Sequence, residues 1–99
     1  MNSTVDLVHD WLNENVHTYK VVALKEIEID VERQTLSACY IYGNKVIDVV
    51  AWNHNTSLDV LVMTSADGNV ENALVGTCGS KEQLIDRLIK GFQCAVQVY

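Results

Sequence analysis

The stretch Thr35–Trp52 reads TLSACYIY, then Gly43-Asn44, then KVIDVVAW. Two runs rich in β-branched and aromatic residues flank a two-residue Gly-Asn step, which is a hairpin signal. A two-residue loop sets the register. Tyr42 then faces Lys45, Ile41 faces Val46, Tyr40 faces Ile47, and Cys39 faces Asp48. Alternation sorts these side chains onto two surfaces. Leu36, Ala38, Tyr40, Ile47, Val49 and Ala51 make one surface, almost wholly apolar, which must be covered. Ser37, Cys39, Ile41, Val46, Asp48, Val50 and Trp52 make the other. It mixes a carboxylate and a large aromatic with aliphatics, and it is a candidate partner surface.

The chain around this hairpin reads as one domain, residues 1–99, with no linker, repeat or proline. Upstream, Val5, Val8, Leu12 and Val16 recur at helical spacing, joined by Leu7 and Trp11. Asp6, Asp10 and Glu14 lie opposite, so Ser3 to about His17 is expected as a helix with Ser3 or Thr4 at its cap. Trp11 belongs to the apolar stripe and reads as core. Tyr19–Glu32 is expected to be extended, with Lys25, Ile27, Ile29 and Val31 on one side and Glu26, Glu28, Asp30 and Glu32 on the other. Such a row of carboxylates is either a solvated, aggregation-resistant edge or an acidic strip for a basic ligand.

Downstream, Asn53–Ser57 is a polar connection, Leu58–Thr64 a strand, Ser65–Gly68 a turn and Val70–Gly76 the last strand. Ser80-Lys81-Glu82-Gln83 is a capping box. It opens a helical stripe of Leu84, Ile85, Leu88, Ile89, Phe92, Ala95 and Val96. Gly91 within it weakens the helix, and suits a close approach to the sheet. The expected fold is α+β: an antiparallel meander of about five strands, with an N-terminal and a C-terminal helix packed on one face.

A formal charge of −6, from 13 acidic and 7 basic residues, disfavours nucleic acid and anionic membranes as partners. It permits a basic protein partner. Cys39, Cys78 and Cys94 form no short-spaced pair, and an odd count suits reduced thiols in a cytoplasm. The N-terminal segment lacks the pattern of a signal peptide. His9, His17 and His54 are scattered, so no metal motif appears. No phosphate loop or dinucleotide fingerprint suggests a cofactor. Cys78, before a helix start, has no assignable base. Asp48 and Asp59 could in principle serve as an acid–base pair, but nothing supplies a pocket for them. The reading is a binder, not an enzyme.

Three segments in order carry a family likeness: VDLVHDWLNENV, then VIDVVAWNHNTSLDVLVMTSADGN, then SKEQLIDRLIKGF. This line-up resembles the TriTu immunity proteins, which neutralise TreTu, an ADP-ribosyltransferase toxin domain delivered between bacteria. The resemblance implies a cytoplasmic antitoxin, without cofactor or catalytic residues, that binds its cognate toxin and occludes the NAD site or the site for its target, the translation factor EF-Tu. It carries no residue-level binding motif, so the site residues come from the pattern of the chain alone. Trp52 is expected as the aromatic anchor, Asp48 as the partner of a basic group, Ile41 and Val50 as their flanks. Glu26, Glu28, Asp30 and Asp59 are expected to steer association. The alternatives are an acidic secretion chaperone, which would be a dimer holding an extended segment, a phage-encoded inhibitor of a host defence complex, and a small enzyme or ligand-binding domain. Homo-oligomerisation stays open.

Overall fold

The computed structural model describes residues 3–54, 57–75 and 77–96. Helix α1 spans Thr4–Asn15 and helix α2 spans Lys81–Val96. Between them run strands β1 (Val22–Ala23), β2 (Glu28–Asp30), β3 (Thr35–Tyr42), β4 (Lys45–His54), β5 (Ser57–Ala66), β6 (Asn69–Leu74) and β7 (Thr77–Cys78). All described pairings are antiparallel. The fold is therefore α+β with both helices on one side of a meander.

Seven strands replace the expected five, yet they fill five lanes. Both β1 and β2 pair with β3, and both β6 and β7 pair with β5. Each outer lane is broken because an edge strand has a neighbour on one side only and tolerates a local departure. In the first lane, Ala23 faces Tyr40 and Glu28 faces Ser37. Five steps on one side match three on the other, so two residues loop out. An even number preserves the faces. In the other lane a register shift at Thr64/Ser65 leaves Glu71 as an extra residue. Its carboxylate lies 3.6 Å from Lys45 Nζ.

The expected Tyr19–Glu32 strand needs correction. Tyr19 closes a short 3-10 helix, Val16–Tyr19, which follows α1 and ends on Lys20 at φ 58°. Val31–Gln34 is a turn, with Gln34 at φ 55°. Asp30 Oδ1 opens that turn by accepting from the Arg33 amide at 3.0 Å. The central hairpin matches the expected register at all four pairs named above. Gly43 takes φ 61° in its loop, a conformation L side chains resist. Strand β4 runs on to His54 and β5 restarts at Ser57, so Asn53–Ser57 is not simply a connection. The expectations for Asn55, Thr56 and Gly76 lie outside the described residues.

Helix ends carry the expected caps. Ser3 Oγ accepts from the Asp6 amide at 3.1 Å, and Ser80 Oγ from the Gln83 amide at 3.3 Å. Gln83 reaches back to the Gly79 amide at 2.7 Å. A further link ties α1 to the sheet. Asn53 Oδ1 accepts from the Val5 amide at 3.0 Å, while the Asn53 amide donates to Gln34 O. One side chain thus fixes where α1 starts against the end of β4.

The core forms between the helices and a single face of the sheet. Leu36, Ala38, Tyr40, Ile47, Val49, Ala51, Val60 and Val62 meet Val5, Val8, Trp11 and Leu12 of α1 and Leu84, Leu88, Phe92 and Ala95 of α2. Phe92 packs against three rings, those of Trp11, Tyr19 and Tyr40.

Candidate functional site

Among the described residues, the opposite face of the sheet contributes nothing to that core. Strand β4 runs through its middle and presents Val46, Asp48, Val50 and Trp52. The pairing places Ile41, Cys39, Ser37 and Thr35 of β3 beside them on one side. Ser65, Met63, Leu61 and Asp59 of β5 lie on the other. Ile41, Val46, Val50, Trp52, Leu61 and Met63 are each only partly buried, so a continuous apolar strip meets solvent. At one end of it stand two exposed valines, Val22 and Val70, paired with Ile41 and Ser65. Contiguous exposed apolar surface of this sort marks interaction sites in soluble domains.

Four of the eight expected site residues, Trp52, Asp48, Ile41 and Val50, come together on the central hairpin's part of this face. The acidic four part company. Glu28 and Asp30 keep the uncovered face at its margin, through pairing with Ser37 and Thr35. Glu28 is engaged with Lys25 at 3.5 Å, and Asp30 is spent on its turn. Glu26 is exposed in the looped-out segment between β1 and β2, and Glu32 lies in the turn. The strand face bearing four carboxylates in a row is thus not formed.

Asp59 is a correction of another kind. It was expected at the surface but is only 5 % exposed. Thr77 of β7 faces it and donates its hydroxyl to Asp59 Oδ1 at 2.8 Å. Asp59 does share the face of Trp52, but a seventh strand flanks it there. Nor do Asp48 and Asp59 form a carboxylate pair. Their cross-strand partners are Met63 and Trp52. Four strand steps separate Asp48 from Trp52, about 13 Å at the usual rise.

Cys39 and Asp48 stand directly opposite. Burial first, then the polar and charge interaction with the Asp48 carboxylate, push the Cys39 thiol above its ordinary 9.0, while Lys25 opposes them. Tyr40 is likewise held above 10.0, by burial first and then by the Cys39 charge. An acid whose folded pKa is raised favours folding only while protonated. Its contribution is intact below the unfolded value and is lost as pH climbs through the folded one. Stability should therefore fall in the alkaline range, and the Cys39→Ala/Tyr40→Phe double variant should show a flatter decline in urea midpoints. An unchanged decline would refute this assignment. Of the three thiols only Cys94 is exposed. One thiol per chain should react rapidly with a disulfide reagent, and the other two only on unfolding.

Among the described residues no three His, Cys, Asp or Glu come together as a metal-binding group. No helix among them is long and apolar enough to cross a membrane. A groove of about 530 Å³ lies on the helix side, lined by Asn72, Leu74, Lys90, Gln93, Cys94 and Val96. It is open to solvent, and Lys90 there is paired with Asp86 at 2.9 Å. It is remote from the face centred on β4. No family model, curated protein or solved structure matches this chain.

Proposed function

We propose that this protein is a bacterial immunity protein that docks the uncovered face of its sheet onto a folded toxin domain and blocks it. The observation that carries the docking is the half-buried strip of Val46, Val50, Trp52, Leu61 and Met63, which lies outside the core and has no helix over it. The likeness to TriTu proteins supplies the toxin class, an ADP-ribosyltransferase. Occlusion of its NAD or EF-Tu site is the mechanism that requires nothing of this chain beyond shape and chemistry. Action in the cytoplasm, where EF-Tu works, belongs to the same proposal.

Trp52 is the anchor. It sits at the end of the strip, on a central strand, and is only partly buried. Tryptophan side chains in such positions dominate interface energetics. Trp52→Ala, with its circular dichroism unchanged, should bind the toxin domain at least about 2 kcal/mol more weakly in calorimetry and protect co-expressing cells poorly. Full affinity and full protection by the folded variant would remove this face from the interface. Of the four expected steering residues, Glu26 and Glu28 are the ones at the surface and outside the turn, and they should act on encounter. Glu26→Gln/Glu28→Gln should slow association and reduce its salt dependence while leaving dissociation nearly unchanged.

A further inference from the structure

Two carboxylates of the described residues lie within the uncovered face: Asp59 is buried and held by Thr77, whereas Asp48 stands among apolar side chains at the centre and constrains what can cover it. Asp48 lies between Val46 and Val50 on β4, with Cys39 and Met63 directly opposite on the neighbouring strands and Leu61 diagonal to it. Its nearest cross-strand polar neighbour is the Cys39 thiol, and a thiol is at best a weak donor. Lys25, the cation felt at Cys39, is engaged with Glu28. Among the described residues no ion pair to Asp48 is formed.

A neutral apolar surface laid over this strip would strip water from Asp48 and give nothing back, which is strongly unfavourable. A second copy of this chain is no better. Two-fold packing of the face on itself matches like with like, and brings two central carboxylates together between two acidic molecules. A partner cation resolves both conflicts. The aliphatic ring around Asp48 would then exclude water from the pair and strengthen it.

We infer that the partner of this face presents an arginine or lysine that seats on Asp48, framed by apolar side chains that cover Val46, Val50 and Met63. Asp48 thus acts as a specificity determinant, rejecting partners that fit the strip but lack the cation. This rests on the docking reading above, and it adds the chemistry of the contact.

The test uses benzamidinium, a flat apolar cation, and its neutral analogue benzamide as probes, titrated into the isotope-labelled full chain and followed by NMR. Benzamidinium should bind saturably, with shifts centred on Val46–Val50 and Met63, at least about tenfold tighter than benzamide. Asp48→Asn keeps the size and an acceptor for Cys39, and should erase the difference. Met63→Lys supplies a cation within the chain and should also abolish benzamidinium binding. Equal binding of the two probes, or discrimination that survives Asp48→Asn, would overturn the inference. So would a dimer in sedimentation that dissociates on Trp52→Ala. Loss of toxin affinity in Trp52→Ala without probe discrimination would leave the docking face standing and remove only the cation.

Discussion

Phe92→Ala should destabilise the fold by about 3–5 kcal/mol, the usual loss when a fully buried aromatic is truncated and its cavity cannot collapse. A domain of this size has about 5–15 kcal/mol in total, so the variant would be close to unfolding. The site has little freedom to collapse. Phe92 is wholly buried, with ring centroids at 5.5 Å from Trp11, 5.3 Å from Tyr19 and 5.7 Å from Tyr40. Those rings belong to α1, to the 3-10 helix after it and to β3, so they are positioned by three different segments. Tilted ring pairs of this kind add about 0.5–1.5 kcal/mol beyond area burial. Phe92→Leu keeps most of the volume and should cost less than half as much. Urea unfolding followed by tryptophan fluorescence reads the loss, because Trp11 touches the altered ring. A midpoint that barely moves in Phe92→Ala would mean that the two helices do not share this aromatic junction.

The junction was half legible in the sequence. Helical spacing put Trp11 and Phe92 on buried stripes, and strand alternation put Tyr40 on the covered face. Nothing local says that these three meet, since their separation along the chain is bridged only by the fold. Tyr19 was missed for a different reason. The apolar and acidic alternation from Ala23 to Glu32 is a strong strand signal, and it drew the residues before it into the same element. The alternation is genuine in Glu28–Asp30, where pairing with β3 exists to be had. Beyond Asp30 the chain must reverse to enter β3, and Asp30 and Arg33 provide the turn.

The candidate face shows the same division. A two-residue loop determines which side chains share a surface, so the sequence alone places Ile41, Asp48, Val50 and Trp52 together. Burial along that surface depends on neighbours from elsewhere in the chain. Asp59 is hidden because Thr77 faces it, and a two-residue strand such as β7 has too little pattern to announce itself. Asn53 gave no signal either: its contact with the Val5 amide joins residues 48 positions apart.

Gly91 is the position where sequence and structure agree on a consequence that helix propensity alone would reverse. Alanine is better than glycine in a helix by about 1 kcal/mol, so Gly91→Ala would be stabilising on an exposed helix. Here α2 lies so close to β5 that an added Cβ would stand 2.2 Å from Val62 Cγ1 and 2.8 Å from Val62 Cβ. No real pair of carbon atoms holds such a separation. Val62 is itself buried on a central strand and cannot swing away without displacing its neighbours. The helix must lift or the strand must bend, and overpacking of this kind costs about 1–3 kcal/mol net. The double variant Gly91→Ala/Val62→Ala separates sterics from other causes. Removing the two Val62 methyl groups takes away the nearest clash, with Cγ1, and leaves only the Cβ contact at 2.8 Å, so the pair should be more stable than the sum of the single changes by about 1 kcal/mol or more. Additive losses would place the two residues out of contact. A Gly91→Ala protein more stable than the parent would show that α2 does not approach the sheet this closely, and the covered face would have to be built differently.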